Sequence, residues 1–300
     1  MLSNAFTLAP VPGAIAALGA KPVFLEITES LTVDPDHLMQ AAKACRAKVL
    51  MLSHMRGHQP DMGALMKLCD ALGLTVVEDC AHTMGGQAGG VVSGRHGRIA
   101  CYSMQTYKHI NSGEGGFLTT DDETLAARAV LLSGSYMLYE RHGAAPRAEA
   151  FEEIRDFTPN ISGRMDNLRA AILRPQLADL PAQVKNARTY SNVLRLMDRD
   201  PGLSRVGSSF QFRLPDHSED ALQAFVARCA ARGVELKWFG ARRAGGLTST
   251  YRNWAYAETP DLPKTDRIVA GLLDMRLPLT FSVEDCRLIA RSIASEVAHS

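Results

Sequence analysis

Lys108 stands between two apolar stretches in a position that favours chemistry. A predicted strand at residues 98–103 precedes it, and another at residues 116–119 follows it. The loop between them is too short for a helix, so Lys108 is expected at the mouth of a strand, held by tight turns. A desolvated lysine has a lowered pKa, and its neutral amine can form a Schiff base with an aldehyde. The alternative is a solvated loop lysine.

A second polar group follows a second apolar stretch. Residues 74–82 predict a strand that ends on adjacent acids, which places Asp79 at another strand mouth. A carboxylate there can keep a pyridinium nitrogen protonated, as a lysine-bound pyridoxal phosphate (PLP) requires. Ser103 lies five positions before Lys108, where a hydroxyl and the following N–H groups could take a phosphate oxygen. Asp79 could instead cap a helix, and Ser103 could stabilise a turn.

The order of these motifs resembles that of the DegT/DnrJ/EryC1/StrS aminotransferase family. The resemblance rests first on Asp79-Cys-Ala-His82, on Ser103 with Lys108 five residues later, and on Gly113-Glu-Gly-Gly116. Further blocks resemble the family in the same order and extend the resemblance over nearly the whole chain: residues 19–24, 57–62, 163–171, 176–177 and 277–279.

The resemblance implies a fold-type I PLP enzyme, in a family whose members often aminate keto-sugars attached to nucleotides or keto-cyclitols. It implies that Lys108 binds PLP covalently and that Asp79 pairs with the pyridine nitrogen. His82 matches a position that approaches the phenolic oxygen of the cofactor, and Ser103 matches a phosphate-binding hydroxyl. His82 could also be a histidine that caps a helix start.

The family's Asn-x-Arg-Met block is altered in this sequence. Its asparagine reaches the phosphate of the cofactor in the other subunit of a homodimer. Ser162 occupies the matching position here, and Asn160 lies two residues earlier. The resemblance therefore predicts that the loop shifts to present Asn160, or that Ser162 makes a weaker contact.

The start of the chain also departs from the family pattern. Family chains normally carry an upstream segment with two strands, one of them interior, and a helix whose N-terminus cradles the PLP phosphate. Residues 4–8 resemble the segment that follows the interior strand. We therefore expect the strand at residues 22–27 to lack its neighbour, and the phosphate to lack its helix N-terminus.

The composition favours small-molecule chemistry over nucleic-acid binding. Lys and Arg total 33 against 32 for Asp and Glu, so no basic surplus is present to neutralise a phosphate backbone. Six cysteines show no CxxC pairing, which fits free thiols in a reducing cytoplasm. Neither a signal peptide nor an apolar stretch of membrane-spanning length is evident in the sequence, so we expect no membrane partner.

Strand and helix alternate through the first part of the sequence. This predicts an α/β fold with a mostly parallel sheet flanked by helices, and with its functional crevice at the carboxyl ends of the strands. A capping box at Thr120 and Glu123 predicts a helix to about residue 132. The helical stretch 166–197 is expected to kink or break at Pro175 and Pro181. Residues 264–273 and 282–298 are predicted helices of a smaller α+β part.

Three domains are expected: a PLP-binding large domain at residues 1–160, a helical bridge at 161–202 and a small C-terminal domain at 203–300. The predicted function is PLP-dependent transfer of an amino group from glutamate or glutamine to a keto-sugar nucleotide or keto-cyclitol. The alternative function is that of a shortened, non-catalytic paralogue that serves as a binding or regulatory subunit. The two differ in whether Lys108 carries the cofactor.

Overall fold

The computed structural model describes residues 1–134, 136, 138–141, 143, 145–194, 203–204 and 206–298. Its main sheet has the strand order β2-β1-β3-β4-β7-β8. The strands are β1 (Leu2–Asn4), β2 (Val23–Leu25), β3 (Val49–Ser53), β4 (Thr75–Asp79), β5 (Gln87–Ala88), β6 (Val91–Val92), β7 (Ile99–Ser103), β8 (Gly116–Thr119), β9 (Leu203–Ser204), β10 (Ser209–Arg213), β11 (Lys237–Trp238) and β12 (Leu272–Arg276). The α-helices are α1 (Pro10–Ala17), α2 (Pro35–Cys45), α3 (Met62–Ala71), α4 (Glu123–Ser133), α5 (Glu149–Glu152), α6 (Asn167–Val193), α7 (Glu219–Ala231), α8 (Pro263–Ala270) and α9 (Val283–Val297).

The main sheet is parallel except at one edge, where β8 runs antiparallel to β7. Its apolar residues pack with those of α2 and α3 into a buried cluster that includes Leu25, Leu38, Leu50, Leu65 and Val76. This confirms the predicted α/β fold with a mostly parallel sheet flanked by helices. Because the strands run the same way, their carboxyl ends meet at one edge of the sheet.

The expectation that residues 22–27 lack a neighbour is wrong. The first residues of the chain form β1, which lies between β2 and β3 and pairs with both. Leu2 is opposite Val23 on one side and Leu50 on the other, and its side chain is fully buried. The interior position between β2 and β3 is therefore occupied by β1.

Helices α2 and α9 begin with side-chain caps, and the cap that the sequence predicted for α4 is wrong. The side chain of Asp34 accepts hydrogen bonds from two backbone N–H groups at the start of α2, and Ser282 and Asp285 form a capping box at α9. At α4 the cap is Asp122, which accepts from Leu125 N, and not the predicted Thr120. The hydroxyl of Thr120 instead donates to the carbonyl of Arg98.

The predicted break of the helical stretch at its two prolines is also wrong. Helix α6 runs without interruption from Asn167 to Val193, with Pro175 and Pro181 inside it. A proline removes one intrahelical hydrogen bond and leaves the carbonyl four residues earlier without its donor. Ala171 and Leu177 carry those carbonyls, and both residues are exposed, so water can satisfy them. The end of the predicted stretch, residues 195–197, lies outside the described residues.

The second sheet is antiparallel, with strand order β10-β12-β11. Its middle strand, β12, overlaps the end of the predicted helix at residues 264–273, which is therefore wrong beyond α8. Phe210, Phe212 and Leu273 cover one face of this sheet and pack against α7 and α9 in a second buried cluster. The helix at α9 is confirmed.

The division into three domains stays a prediction, and its second boundary lies in residues outside the described ranges. The main sheet falls within residues 1–160 and the second sheet within residues 203–300, but β9 pairs with β5 of the first segment. A third cluster, which includes Phe6, Met55 and Phe239, packs residues of the two segments together. Among the described residues, no helix combines the length and apolar character that crossing a membrane requires.

Candidate active site

A cavity of about 530 Å³ opens at the carboxyl ends of the parallel strands. Ser53, Asp79 and Ser103 are the last residues of β3, β4 and β7, and all three line it. Their position follows from the parallel order β3-β4-β7, which brings three strand ends side by side. Lys108 and His82 line the same cavity. The structure therefore brings four of the six predicted site residues together: Asp79, His82, Ser103 and Lys108.

The loop that carries Lys108 is fixed by its own backbone and by α6. Met104 N donates to the carbonyl of Gly115 at 2.8 Å, which closes the loop. The amide of Gln176 on α6 bonds both ways to the backbone of Asn111. Asn111 N donates to Gln176 Oε1 at 3.0 Å, and Gln176 Nε2 donates to Asn111 O at 2.8 Å. Lys108 is thus presented by a braced turn.

Lys108 Nζ lies 3.0 Å from His82 Nε2. Burial lowers the pKa of Lys108 from 10.5 to about 8; the cations Arg56 and Arg276 lower it further, while Asp79 opposes the shift. Burial, followed by the charge of Lys108, holds the pKa of His82 well below its ordinary value of 6.5. His82 is therefore neutral, and its Nε2 can accept a hydrogen bond from the amine of Lys108.

The carboxylate of Asp79 is oriented by two donors. Ser53 Oγ donates to Asp79 Oδ2 at 2.7 Å, and Ala81 N donates to Asp79 Oδ1 at 3.1 Å. The second bond closes a turn just after β4. Among the described residues no helix begins there, so the alternative that Asp79 caps a helix is wrong, and the side chain lies on the cavity wall. A carboxylate with one oxygen held by Ser53 and one by the backbone keeps a fixed direction toward the cavity.

The adjacent acid, Glu78, has a different environment. It is fully buried and lies on the opposite face of β4. Its oxygens accept from the backbone N–H groups of Gly94, His96 and Gly97, and His54 Nε2 lies 3.0 Å from Oε2. These bonds outweigh the cost of burial and lower the pKa of Glu78. Glu78 therefore fixes a loop, whereas Asp79 faces the cavity.

Ser103 combines both interpretations of its sequence position. Its Oγ accepts a hydrogen bond from Gln105 N at 3.3 Å, which stabilises the turn after β7. The same side chain lines the cavity beside Lys108. The hydroxyl proton remains available to a ligand oxygen, since Oγ acts as an acceptor in the turn.

Asn160 and Ser162 lie apart from this cavity. Both residues are exposed, and Ser162 N donates to Asn160 Oδ1 at 2.9 Å. Ser162 adopts a left-handed backbone conformation with a φ of 53°. Within one chain neither residue lines the cavity, so their contact with a cofactor stays a prediction about a second subunit.

The cavity also holds charged residues that sequence reasoning did not select: Arg56, Lys237 and Arg276. The only local signals were their positions next to motif blocks, Arg56 before Gly57 and Arg276 before Leu277. Lys237 had no local signal, because its place in the cavity depends on the pairing of β11 with β12. The ring of Tyr107, which precedes Lys108, stacks under the guanidinium of Arg276 at 4.9 Å from ring centroid to Cζ.

A lysine of lowered pKa, an oriented carboxylate and a serine thus lie together at the ends of parallel strands, in a fold of the kind that fold-type I PLP-dependent aminotransferases have. The chain belongs to the DegT/DnrJ/EryC1/StrS aminotransferase family, which it matches over residues 2–294. The family resemblance inferred from the sequence is thereby confirmed, and so is the fold type.

Two curated relatives are sugar or cyclitol transaminases. The dTDP-3-amino-3,4,6-trideoxy-alpha-D-glucose transaminase of Micromonospora megalomicea subsp. nigra is 33% identical over 237 residues, which are 77% of this chain and 58% of that protein. The L-glutamine:scyllo-inosose aminotransferase of Streptomyces griseus is 29% identical over 218 residues, 72% of this chain and 49% of that protein. The chain thus spans about half to three fifths of the length of these relatives.

The same architecture is present in a solved structure. The crystal structure of 3-amino-5-hydroxybenzoic acid synthase superposes with a TM-score of 0.79 at 26% identity. The superposition covers 100% of this chain and 80% of that chain.

Proposed function

We propose that this chain binds PLP and transfers an amino group from glutamate or glutamine to a keto-sugar nucleotide or a keto-cyclitol. The observation that carries the proposal is Lys108, whose amine lies in the cavity at the strand ends with its pKa lowered to about 8. Membership of the aminotransferase family and the names of the two transaminase relatives support the reaction type and the substrate class.

The residues of the cavity fit this cofactor. When bound, PLP supplies an aldehyde for an amine and a ring that withdraws electrons from the reacting carbon. The cavity offers the amine of Lys108 for the aldehyde, the carboxylate of Asp79 for the ring nitrogen and the hydroxyl of Ser103 for a phosphate oxygen. These three groups lie on adjacent loops and strand ends, as a ligand with three different polar sites requires.

Lys108 would act as covalent anchor and as proton carrier. With a pKa of about 8, about a tenth of its side chains are neutral at pH 7 and can attack an aldehyde carbon. Its Nζ would also be the base that takes up a proton from the carbon that bears the donor's amino group, and the acid that returns it.

Asp79, His82 and Ser103 would hold the reacting groups in place. Asp79 would keep the proton on a ring nitrogen, since a carboxylate stabilises a nearby cation. Its hydrogen bond from Ser53 Oγ fixes the direction of that contact. His82 is neutral and close to Lys108 Nζ, so it can share a proton with the phenolic oxygen of the ligand without adding charge.

A homodimer completes the proposal. Phe157, Ile161 and Leu168 are 87%, 67% and 72% exposed, and they flank Asn160 and Ser162 in the chain. A second copy that covers this apolar surface would bring Asn160 or Ser162 of each subunit toward the other subunit's cofactor. Gel filtration with light scattering measures the subunit number, and a monomer at micromolar concentration contradicts the homodimer.

All six cysteines are free thiols, which supports a reducing cytoplasmic location.

The test is covalent capture. The purified protein is incubated with PLP and reduced with borohydride, and its peptides are analysed by mass spectrometry. We expect the pyridoxyl group on the peptide that contains Lys108 and no capture in Lys108→Ala. The matched control, Lys67→Ala, changes an exposed lysine of α3 and should be captured like the unaltered chain. Absence of capture, or capture at another lysine with Lys108 unmodified, overturns the proposal and favours a non-catalytic binding subunit.

A further inference from the structure

The second sheet has one apolar and one charged face. Gln211 of β10 and Lys237 of β11 are both paired with Asp274 of β12, and Ser209 is paired with Arg276. Residues directly opposite in an antiparallel sheet share a face, as do residues two apart on a strand. All five side chains therefore lie on one face, opposite to the face of Phe210 and Leu273 in the buried cluster.

The charged face meets the main sheet through a buried network. Gln211 Nε2 donates to Asp274 Oδ1 at 2.7 Å, while Gln211 Oε1 lies 2.7 Å from His58 Nε2. Arg56, in the turn after β3, places Nη2 2.8 Å from Asp274 Oδ2. Asp274 is fully buried, so this contact is shielded from bulk solvent. The network fixes Arg56 and the charged face to each other.

Arg56 retains unused hydrogen-bonding capacity. Its side chain is 8% exposed, and its backbone has a φ of 56°, a left-handed conformation that a non-glycine residue rarely adopts. Neither Nε nor Nη2 makes a hydrogen bond with an aligned acceptor, although Nη2 is within ion-pair distance of Asp274. Both atoms are closed off from the cavity, so what Arg56 offers a ligand there is the positive charge of its guanidinium on the cavity wall.

The cavity has a surplus of positive charge. Among the described residues that line it, the cations are Arg56, Lys108, Lys237 and Arg276, and the only carboxylate is that of Asp79. Asp274 offsets one cation from behind the wall. Burial, followed by repulsion from Arg56, lowers the pKa of Lys237, and burial lowers that of Arg276. Cations held close together and half-desolvated are stabilised when an anion enters between them.

We infer that Arg56, Lys237 and Arg276 form an anion subsite that holds a carboxylate or phosphate group of a substrate while Lys108 meets the reacting carbon. Arg276 reaches Tyr107, the residue before Lys108, which ties the subsite to the catalytic loop. The inference rests on the proposed function and narrows its substrate class. The substrate then carries an acidic group on the side of the cavity that the second sheet forms.

The first experiment measures anion binding without turnover. The PLP-loaded protein is titrated calorimetrically with glutarate, a dicarboxylate that has no amino group, and separately with inorganic phosphate. We expect wild-type protein to bind at least one of the two probes. Lys237→Met and Arg276→Met should each weaken that binding at least about tenfold, because each removes a charge-assisted contact but keeps the hydrocarbon stem.

The matched control is Arg287→Met, the same side-chain change on α9 at a position whose side chain is 58% exposed. It should bind the probe with wild-type affinity. Absence of binding by wild-type protein, or equal weakening in all three variants, overturns the subsite. Capture at Lys108 is measured in parallel, so a failure of the proposed function is seen separately from a failure of the anion subsite.

The second experiment identifies which reactant carries the anion. The two half-reactions are followed separately by the absorbance of the cofactor at increasing donor or acceptor concentration. If the variants raise the half-saturating concentration of the donor alone, the subsite binds the donor carboxylate. If they raise that of the acceptor alone, it binds an acidic group of the keto substrate. Either result supports the inference. Weaker binding of PLP with unchanged binding of pyridoxal, which lacks the phosphate, assigns the cations to the cofactor and overturns it.

Discussion

The two sheets contribute to the cavity in different ways. The parallel sheet presents the ends of its strands, where Asp79, Ser103 and the Lys108 loop leave the regular backbone. The antiparallel sheet presents a face, and Lys237 of β11 and Arg276 of β12 project from it toward the cavity. Strand ends can place different functional groups on separate loops, whereas a sheet face repeats one kind of contact at fixed spacing. The first arrangement suits chemistry and the second suits recognition of charge.

This comparison predicts that a change at the strand ends lowers turnover and leaves substrate binding intact. Asp79→Asn should still bind PLP but lower kcat by about 10²–10³-fold, because a neutral amide does not keep the ring nitrogen protonated. KM for the donor should stay within about a factor of three. Steady-state kinetics measures both quantities, with Asp70→Asn at the end of α3 as control. An unchanged kcat removes Asp79 from the mechanism.

The contact between the two sheets can be broken at its buried ion pair. Arg56→Leu should lower the free energy of unfolding by about 3 kcal/mol, because it leaves the buried carboxylate of Asp274 without its cation. Adding Asp274→Asn should restore part of that loss by removing the uncompensated charge. Urea denaturation of the two variants and of the double variant measures the coupling. Additive losses would mean that the pair contributes nothing of its own.

In the cofactor-free protein, Lys108 should lower the free energy of unfolding at neutral pH. Its pKa is about 8 in the fold against an ordinary 10.5, so the unfolded chain binds more protons between these values. Lys108→Met should therefore raise the free energy of unfolding of the cofactor-free protein by about 1–3 kcal/mol at pH 7. The gain should be full below pH 8 and disappear as the pH rises toward 10.5. A gain that is independent of pH would show that packing, and not charge, causes it.

The smallest predicted effect connects the two regions by charge alone. Arg276 is one of the cations that lower the pKa of Lys108, so Arg276→Met should raise it. The rate of PLP capture against pH should then have its midpoint at higher pH, because the neutral amine is the reacting form. Arg287→Met should leave the midpoint unchanged. If the midpoint does not move in Arg276→Met, the charge of Arg276 does not influence the pKa of Lys108.

The difference between the sheets also explains what the sequence could predict. Lys108, Asp79 and Ser103 each follow an apolar stretch by a few residues, so local patterns place them at strand ends. The order of the family blocks along the chain then identifies the family to which these residues belong. The charged face has no such signature, since it forms only when β10, β11 and β12 pair, and its Asp274 meets Arg56 only after both sheets have formed.

The predicted helix at residues 264–273 shows the same limit in secondary structure. Its apolar residues Ile268, Val269, Leu272 and Leu273 fit a helical pattern, yet the helix ends at Ala270 and β12 begins at Leu272. The pairing of β12 with β10 and β11 decides the conformation, and that pairing depends on distant residues. At the start of the chain, the family resemblance predicted no strand beside β2, and the three residues of β1 are too few to show a periodicity that would have indicated one.

The position of Glu78 beside Asp79 has a consequence for deep mutational scanning of this protein. Both acids should tolerate almost no substitution, and a fitness map would show them as one conserved-looking pair. Their causes differ, because Glu78 holds the 94–97 loop by three backbone N–H groups while Asp79 points into the cavity. Protein abundance should fall with Glu78→Gln and remain normal with Asp79→Asn. A scan that scores abundance separately from growth would therefore assign one residue of the pair to the fold and the other to the reaction.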